Sequence, residues 1–231
     1  MGDHNLKHDA MSDDLTLISL PLFPLDTVLY PGGLLPLRIF EVRYLDMIGK
    51  CHKAGAPFGI VSLTEGSEVR RPNHTAPNRA AGDFAPEAFS NVGTLATITD
   101  FSISQPGLMV INCVGTHRFE IFRREKLKHG LWIADVTRLM DDQSVRIPDD
   151  LQSTASALAK LIASLKERGV PAAQMPLLPP YTLDDCGWVA NRWCELLPMP
   201  LELRQRLMML DNPLLRLELV GDILERTGIS F

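Results

Sequence analysis

The residue types that most often bind metals or act as nucleophiles are spread along this chain without the spacing that such chemistry needs. The four cysteines are Cys51, Cys113, Cys186 and Cys194. No two of them form a Cys-x-x-Cys pair, and the six histidines are scattered, so the sequence predicts no zinc site. We expect four small buried side chains in a reducing compartment and not a disulfide framework.

The common sequence motifs of catalysis are also absent. The chain has no Walker-type phosphate loop, no Gly-x-Gly-x-x-Gly turn, no Gly-x-Ser-x-Gly elbow, no His-Glu-x-x-His pair and no EF-hand loop. Each of these motifs is the usual solution to a fixed geometric requirement, so we predict neither a catalytic residue nor a cofactor. A catalytic triad assembled from distant residues stays open at this point.

One stretch of the chain is strongly basic. Its members are His117, Arg118, Arg123, Arg124, Lys126, Lys128 and His129. Such a segment could be a phosphate or RNA contact, or a strand edge that charge protects from aggregation. The chain carries 23 Lys and Arg against 28 Asp and Glu, a formal net charge of −5, and this acidic balance favours the second interpretation.

Methionines and paired acids in the second half offer two further possibilities. The methionines are Met175, Met199, Met208 and Met209, and the acid pairs are Asp149–Asp150 and Asp184–Asp185. Methionine-rich surfaces can bind varied apolar partners, but methionines at helical spacing are more often core residues. The acid pairs could hold a metal, but each precedes a predicted helix, where carboxylates stabilise the helix dipole without one.

Length and composition limit the number and kind of domains that position these residues. With 231 residues, of which 45% are hydrophobic, the chain makes one large domain or two small ones. Residues 1–14 are polar and predict a flexible tail. The N-terminus lacks the pattern of a secretory signal, and the chain has no apolar run of about 18 residues. We therefore predict no membrane segment and a cytoplasmic location.

Residues 15–140 are predicted to form a β-rich subdomain. The predicted strands are Ile18–Leu22, Leu34–Ile39, Phe58–Leu63, Val92–Ile103, Leu108–Val114, His117–Phe122 and Leu131–Leu139. A predicted helix, Glu41–Lys53, follows the second strand, and prolines place the first two strands at edges or bulges. This pattern indicates a small, partly open barrel. Thr64–Asn91 shows no periodicity and is expected to be a long functional or mobile connection.

Residues 141–231 are predicted to form a helical bundle subdomain. Apolar residues recur at steps of four and three, as on one face of a helix, at Leu151, Ala155, Leu158, Ile162 and Leu165. Three more helices are predicted at Leu183–Leu197, Pro200–Leu210 and Pro213–Arg226. Asn212 and Pro213 suit the N-cap and the first position of the last helix.

Several segments together resemble a known family. They are LPLFPLDTVLYPGGLLPLRIFEVRYLDMI (Leu20–Ile48), VGTLATITDF (Val92–Phe101), GLMVINCVGTHRFEI (Gly107–Ile121) and the helical stretch Val189–Val220. The sequence resembles the N-terminal, substrate-binding domain of Lon proteases, in the form of a stand-alone bacterial protein. The resemblance implies an α+β fold, namely a PUA-like small β-barrel with an inserted helix, followed by a C-terminal α-helical bundle.

The resemblance also implies a function. In Lon proteases this domain recognises substrates, and the ATPase and peptidase modules that follow it there have no counterpart in this sequence. We therefore expect a non-enzymatic module that binds unfolded or client proteins and peptides, without a cofactor or metal. RNA binding is the alternative, because PUA-like folds also host it, although the acidic chain does not favour nucleic acid. The client and the oligomeric state stay open.

Three residues of the best-matched motif become candidate peptide-binding residues through this resemblance. They are Arg38, Phe40 and Tyr44. An apolar segment of a client would be buried in a shallow groove beside the first helix. The alternative is structural, with Phe40 and Tyr44 in the core and Arg38 in a surface ion pair.

Overall fold

The computed structural model of the protein describes residues 15–66 and 87–228. The predicted tail, residues 1–14, lies outside the described residues. So does most of the predicted connection Thr64–Asn91, namely residues 67–86.

Strands occupy the first part of the described chain, and all but one of its helices occupy the second. The strands are β1 (Thr16–Leu25), β2 (Leu34–Ile39), β3 (Phe58–Glu65), β4 (Ala88–Phe89), β5 (Val92–Gln105), β6 (Leu108–Lys126) and β7 (Trp132–Arg138). The helices are α1 (Val42–Ala54), α2 (Gln152–Glu167), α3 (Cys186–Leu196), α4 (Leu201–Met209) and α5 (Pro213–Arg226). The predicted α+β class, with one helix inserted after the second strand, is confirmed.

The strands form one mixed sheet in which the chain of pairings that starts at β1 leads back to β1. The order is β1–β7–β6–β5–β3–β4, and β1 also pairs in parallel with β3. β1 changes partner along its length, since Thr16–Leu22 lies opposite β7 and Leu22–Leu25 lies opposite β3. β2 pairs with β6 over Met109–Val114, and no second strand of the described chain pairs with β2.

The prolines of β1 and β2 lie where a strand has a neighbour on one side only. Pro21 is opposite Ile133 of β7, and Pro24 is opposite Val61 of β3. Pro36 lies in β2, which is an edge strand. A proline has no N–H to donate, so it is tolerated where one side of the strand is unpaired. The prediction that these strands lie at edges or bulges is confirmed for β2 as an edge strand, whereas β1 has partners on both sides and a register irregularity between Leu17 and Leu20.

The two predicted strands Leu108–Val114 and His117–Phe122 form one continuous strand, β6. Gly115 lies in the middle of β6, where it allows a close approach of two backbones, since a Cβ there would lie 2.2 Å from the carbonyl oxygen of Tyr30. The Gly32 N–H donates to the carbonyl of Gly115 at 2.8 Å, which joins the loop before β2 to the middle of β6.

The ends of the predicted connection Thr64–Asn91 carry strand structure that the sequence did not indicate. β3 continues to Glu65, and β4 pairs with it, with Phe89 opposite Leu63 and Ala88 opposite Glu65. A strand of two residues is too short to show the alternation that identifies a strand in a sequence.

The predicted apolar stripe of α2 faces the core, with Leu151 and Leu165 at its ends partly buried. Ala155, Leu158 and Ile162 are the buried apolar residues of α2. The side chain of Asn212 accepts hydrogen bonds from the N–H groups of Leu214 and Leu215, so the predicted N-cap of α5 is confirmed.

The strand part and the helical part share a core. One apolar cluster joins the buried side chains of α2–α5 to Val28, Tyr30 and Val92. The hydroxyl of Tyr30 donates to the carbonyl of Arg204 in α4 at 2.6 Å. Gln205 of α4 donates to the carbonyl of Val92 at 2.9 Å. These contacts attach the helical part to the sheet through buried groups.

The cysteines are free and buried, as the sequence predicted. Burial raises the pKa of the Cys113 thiol to about 12 and that of Cys194 to about 11. A buried thiol that stays protonated at neutral pH is not a nucleophile. Separately, the described ranges contain no helix with the length and apolar character needed to cross a membrane.

Candidate functional site

The three candidate residues Arg38, Phe40 and Tyr44 line one groove. The groove has a volume of about 250 Å³. Its lining consists of Phe23, Leu25, Pro36, Leu37, Arg38, Ile39, Phe40, Glu41 and Tyr44. One wall is therefore β2 with the first turn of α1, and another is the end of β1. The groove is a surface feature built from three consecutive elements of the chain.

Tyr44 forms the buried floor of the groove. Its side chain is 3% exposed, and its ring stacks on that of Phe23 with the centroids 3.9 Å apart. The guanidinium of Arg43 lies 4.4 Å from the centre of the Tyr44 ring. Tyr44 is thus a core residue that also lines the groove, so the two interpretations of it do not exclude each other.

Phe40 and Arg38 lie exposed at the rim. Phe40 is 55% exposed, which does not fit a core role. Arg38 is exposed, and none of the residues that the structure describes forms an ion pair with its side chain. An exposed aromatic ring and an exposed cation at one rim offer apolar surface and charge to a binding partner.

Arg43, which sequence analysis did not single out, holds the groove in place. Its buried side chain donates to Glu41 Oε2 at 3.0 Å, to the carbonyl of Gly130 at 2.9 Å and to Glu87 Oε1 at 3.3 Å. These bonds attach the first turn of α1 to the turn between β6 and β7. The only sequence signal for this network is the acid and base at Glu41 and Arg43, two residues apart where the helix begins.

Glu87 is the buried acceptor of this network. Besides Arg43, it accepts hydrogen bonds from Lys126 Nζ and from Trp132 Nε1, each at 3.0 Å. Burial alone would raise the pKa of Glu87, but the hydrogen bonds from Lys126 and Trp132, with the charges of Arg43 and Lys126, hold its pKa below the ordinary value. Glu87 is therefore ionised at neutral pH and can hold Arg43.

Acid is expected to weaken this anchor. Because the pKa of Glu87 is lowered by folding, its stabilising contribution is present above the unfolded pKa of about 4.3 and is lost as pH falls through the lower folded value. Glu87→Gln lacks this component, so the gap in melting temperature between wild type and variant should narrow below about pH 4. Thermal unfolding of both proteins from about pH 3 to pH 7 measures the gap. A gap that stays constant with pH contradicts the role of Glu87.

Comparison with known families decides the relationship of this chain. The family model described as the ATP-dependent protease La (LON) substrate-binding domain matches residues 19–226. The chain belongs to the Lon substrate-binding domain family. The matched model is that of a substrate-binding domain, which is not itself catalytic.

Two solved structures of Lon N-terminal domains are similar to the chain. The Lon N-terminal domain protein from Xanthomonas campestris is 28% identical, with a TM-score of 0.67 over 89% of this chain and 98% of that one. The N-terminal domain of Mycobacterium avium complex Lon protease is 17% identical, with a TM-score of 0.55 over 88% of this chain and 96% of that one. The second likeness shows the fold alone. A comparison with curated proteins gave no match.

In this Lon substrate-binding domain, much of the basic segment is used for internal contacts. Arg118 is buried, and its guanidinium donates to the carbonyls of Met208 and Leu210 at 3.2 Å. His117 is hydrogen-bonded to Asp141 at 2.8 Å, and the ion pairs of the segment include Arg123–Asp135 and Lys126–Glu87. Arg123, Arg124, Lys126, Lys128 and His129 are exposed, as the strand-edge interpretation expects. Arg118 fits neither interpretation, because it holds α4 against the sheet.

A larger cavity, of about 640 Å³, lies where β7 ends and α5 begins. Arg118, Met140, Asp211 and Pro213 are among its lining residues. The buried cation there is Arg118, whose guanidinium already contacts three carbonyls and the carboxylates of Asp211 and Asp142. This cavity marks the junction of the strand and helical parts of the Lon domain.

Three of the remaining candidate residues of this Lon domain, Met175, Met208 and Asp185, have structural roles. Met175 and Met208 are buried, as the core interpretation predicts, whereas Met209 is 45% exposed. Asp185 accepts a hydrogen bond from the N–H of Trp188 at 2.7 Å and caps α3, which is the role expected of an acid at a helix start. Across the described residues, no group of three or more His, Cys, Asp or Glu side chains could hold a metal.

Proposed function

We propose that this protein binds extended or unfolded polypeptide segments in the groove at Arg38, Phe40 and Tyr44, and that it does so without catalysis. The observation that carries the proposal is Phe40, an aromatic side chain left 55% exposed at the rim of a concave surface. Large exposed apolar side chains beside a groove are typical of sites that bury part of a partner. Membership of a substrate-binding domain family supports the same function.

The size and lining of the groove favour polypeptide side chains over a small molecule. Small-molecule sites usually have volumes of about 300–1,000 Å³ and enclose most of the ligand. This groove, at about 250 Å³, is smaller and has an exposed rim. The stacked rings of Phe23 and Tyr44 make its floor apolar. One or two apolar side chains of a longer segment fit such a surface.

The rest of the molecule has a supporting part in this proposal. Residues 15–140 form the binding subdomain, and residues 141–231 form a bundle subdomain that stabilises it. Free buried cysteines suit the reducing cytoplasm, which we propose as the location.

Phe40→Ser is expected to weaken the binding of an unfolded protein by about ten- to a hundredfold. A phenylalanine side chain that a partner buries contributes about 1.5–3 kcal/mol. The probe is fluorescein-labelled α-lactalbumin, kept unfolded by reduction and carboxymethylation, and its anisotropy is followed as protein is added. Because Phe40 is exposed, the melting temperature of the variant should stay close to that of wild type.

Phe122→Ser is the matched control. Phe122 lies on β6, is 60% exposed and does not line the groove, so its loss should leave the affinity unchanged. Equal affinity of wild type and Phe40→Ser would contradict the proposed site. Binding of single-stranded RNA that falls steeply with salt, without binding of the unfolded probe, would support the RNA alternative instead.

A further inference from the structure

We infer that the bound segment enters the groove as an additional β-strand along the free edge of β2, and that Arg38 selects a segment carrying an acidic residue. This inference rests on the proposed function. It adds how the segment is held and which charge it carries.

The first observation is how β6 is flanked. On one side, β5 runs along most of its length. On the other side it has two successive neighbours, since β2 lies opposite Met109–Val114 and β7 lies opposite Phe119–Lys126. β7 goes on to pair with β1, whereas the other edge of β2 pairs with no strand of the described chain.

The second observation is that one edge of β1 also lacks a strand partner next to the groove. The edge of β1 that pairs with β7 over Thr16–Leu22 has no strand partner beyond Leu22, where β1 pairs with β3 on its other edge. Phe23 and Leu25 of this stretch line the groove together with Pro36–Ile39 of β2. The groove is therefore lined by two strands, β1 and β2, and each has an edge there that pairs with no strand among the residues the structure describes.

Unpaired strand edges present N–H and C=O groups that an extended peptide can bind. A proline in a strand turns its donor-less nitrogen away from the partner strand, so Pro36 faces the free edge of β2. Hydrogen-bonding direction alternates along an antiparallel strand, so Leu34 and Arg38 share the orientation of Pro36. Arg38 thus offers its backbone N–H and C=O at the end of β2 next to the apolar floor.

The charges of the groove point to an acidic residue in the segment. Only two of its lining residues are charged, Arg38 and Glu41. Glu41 is paired with Arg43 at 3.0 Å, whereas Arg38 has no described ion-pair partner. A carboxylate on the segment would complement Arg38, and complementary charge at a rim gives specificity.

Backbone chemistry in the probe tests strand addition with the protein unchanged. The probe is a short fluorescein-labelled peptide of alternating Val and Thr with one central Phe and one Glu. Two further peptides have the same side chains but carry N-methyl groups on alternate residues, one version for each edge of the extended strand. N-methylation on the edge facing β2 should weaken binding by about tenfold or more, whereas methylation on the opposite edge should have little effect.

The outcomes separate this inference from the proposed function. Strand addition is overturned if the three peptides bind with equal affinity or if the unmethylated peptide does not bind. In that case the groove is still supported if unfolded α-lactalbumin binds to wild type and this binding is lost in Phe40→Ser. Failure of unfolded α-lactalbumin to bind overturns both.

Variants of Arg38 separate its backbone from its side chain. Arg38→Pro removes the edge donor and should weaken binding of the Glu peptide by about tenfold. Arg38→Gln keeps the donor and should abolish a preference of about three- to fivefold for the Glu peptide over one with Lys in its place. An unchanged preference overturns the charge assignment. A dimer in sedimentation that Arg38→Pro dissociates overturns the inference, because a second copy of the chain would then occupy the edge.

Discussion

A chain truncated after Met140 is expected to lose cooperative unfolding and to aggregate. Truncation would expose Val28, Tyr30 and Val92, which are buried in one cluster with the helices. Burial of each such side chain is worth about 1.5–3 kcal/mol, and a whole domain is stable by only about 5–15 kcal/mol. The fragment would also lose the bond from Tyr30 to the carbonyl of Arg204. Thermal unfolding and sedimentation of fragment 1–140 beside the full chain measure the effect.

A second variant tests the same dependence in the full-length protein. Leu207 of α4 is 2% exposed, so Leu207→Asp would bury an unpaired charge and should also prevent stable folding. A monomeric fragment 1–140 that melts cooperatively at the temperature of the full chain would contradict the dependence. The helical part would then need an explanation other than support.

Arg216→Met is expected to destabilise the protein by about 3–5 kcal/mol, because it removes one partner from a buried network of ion pairs and hydrogen bonds. Arg216 is 1% exposed and donates to the carbonyl of Leu207 at 2.9 Å, to Asn191 Oδ1 at 2.9 Å and to Asp142 Oδ1 at 3.1 Å. It also donates to the carbonyl of Leu210. Methionine fills a similar volume but leaves these acceptors without their donor. Urea unfolding measures the loss in free energy of unfolding.

Arg206→Met is the control for this substitution. Arg206 also stands on a helix and pairs with Glu202 at 2.6 Å, but the two side chains are 73% and 78% exposed. Exposed pairs of this kind contribute about 0.2–1 kcal/mol. If Arg216→Met is as mild as Arg206→Met, the buried network does not support the junction between the strands and the helices.

The local sequence pattern predicted the bounds of strands and helices well where a turn or a helix cap precedes the element. The predicted ranges Leu34–Ile39 and Pro213–Arg226 agree with β2 and α5 at both ends. A Pro-Gly-Gly turn precedes β2, and an Asn-Pro cap precedes α5. The third helix was predicted to begin at Leu183 but begins at Cys186, because the side chain of Asp185 caps it.

Sequence pattern could not give the pairing of distant strands or the burial of arginines. The parallel contact of β1 with β3 joins residues more than thirty positions apart, from Leu22 to Gly59. Arg43, Arg118 and Arg216 are buried because carbonyls and carboxylates of remote elements surround them. Arginines are usually exposed, so composition and periodicity give no indication of such positions.

The candidate site was predictable in part because its named residues are local. Arg38, Phe40 and Tyr44 lie on one short stretch that links β2 to α1, so the family motif places them together. Phe23 and Leu25 complete the groove from β1, and their contribution depends on the sheet topology. Exposure of Phe40 was likewise set by the fold, since its type alone favoured the core.

The binding proposal is tested most directly by mapping where an unfolded protein contacts the chain. Amide ¹H–¹⁵N spectra of the labelled protein are recorded while unlabelled, reduced and carboxymethylated α-lactalbumin is added. The proposal predicts that the largest shifts and line broadening fall on residues 37–41, Tyr44 and Phe23, which line the groove. Changes that leave residues 37–41 unaffected and cluster elsewhere, such as around Met140 or Arg123, would contradict it.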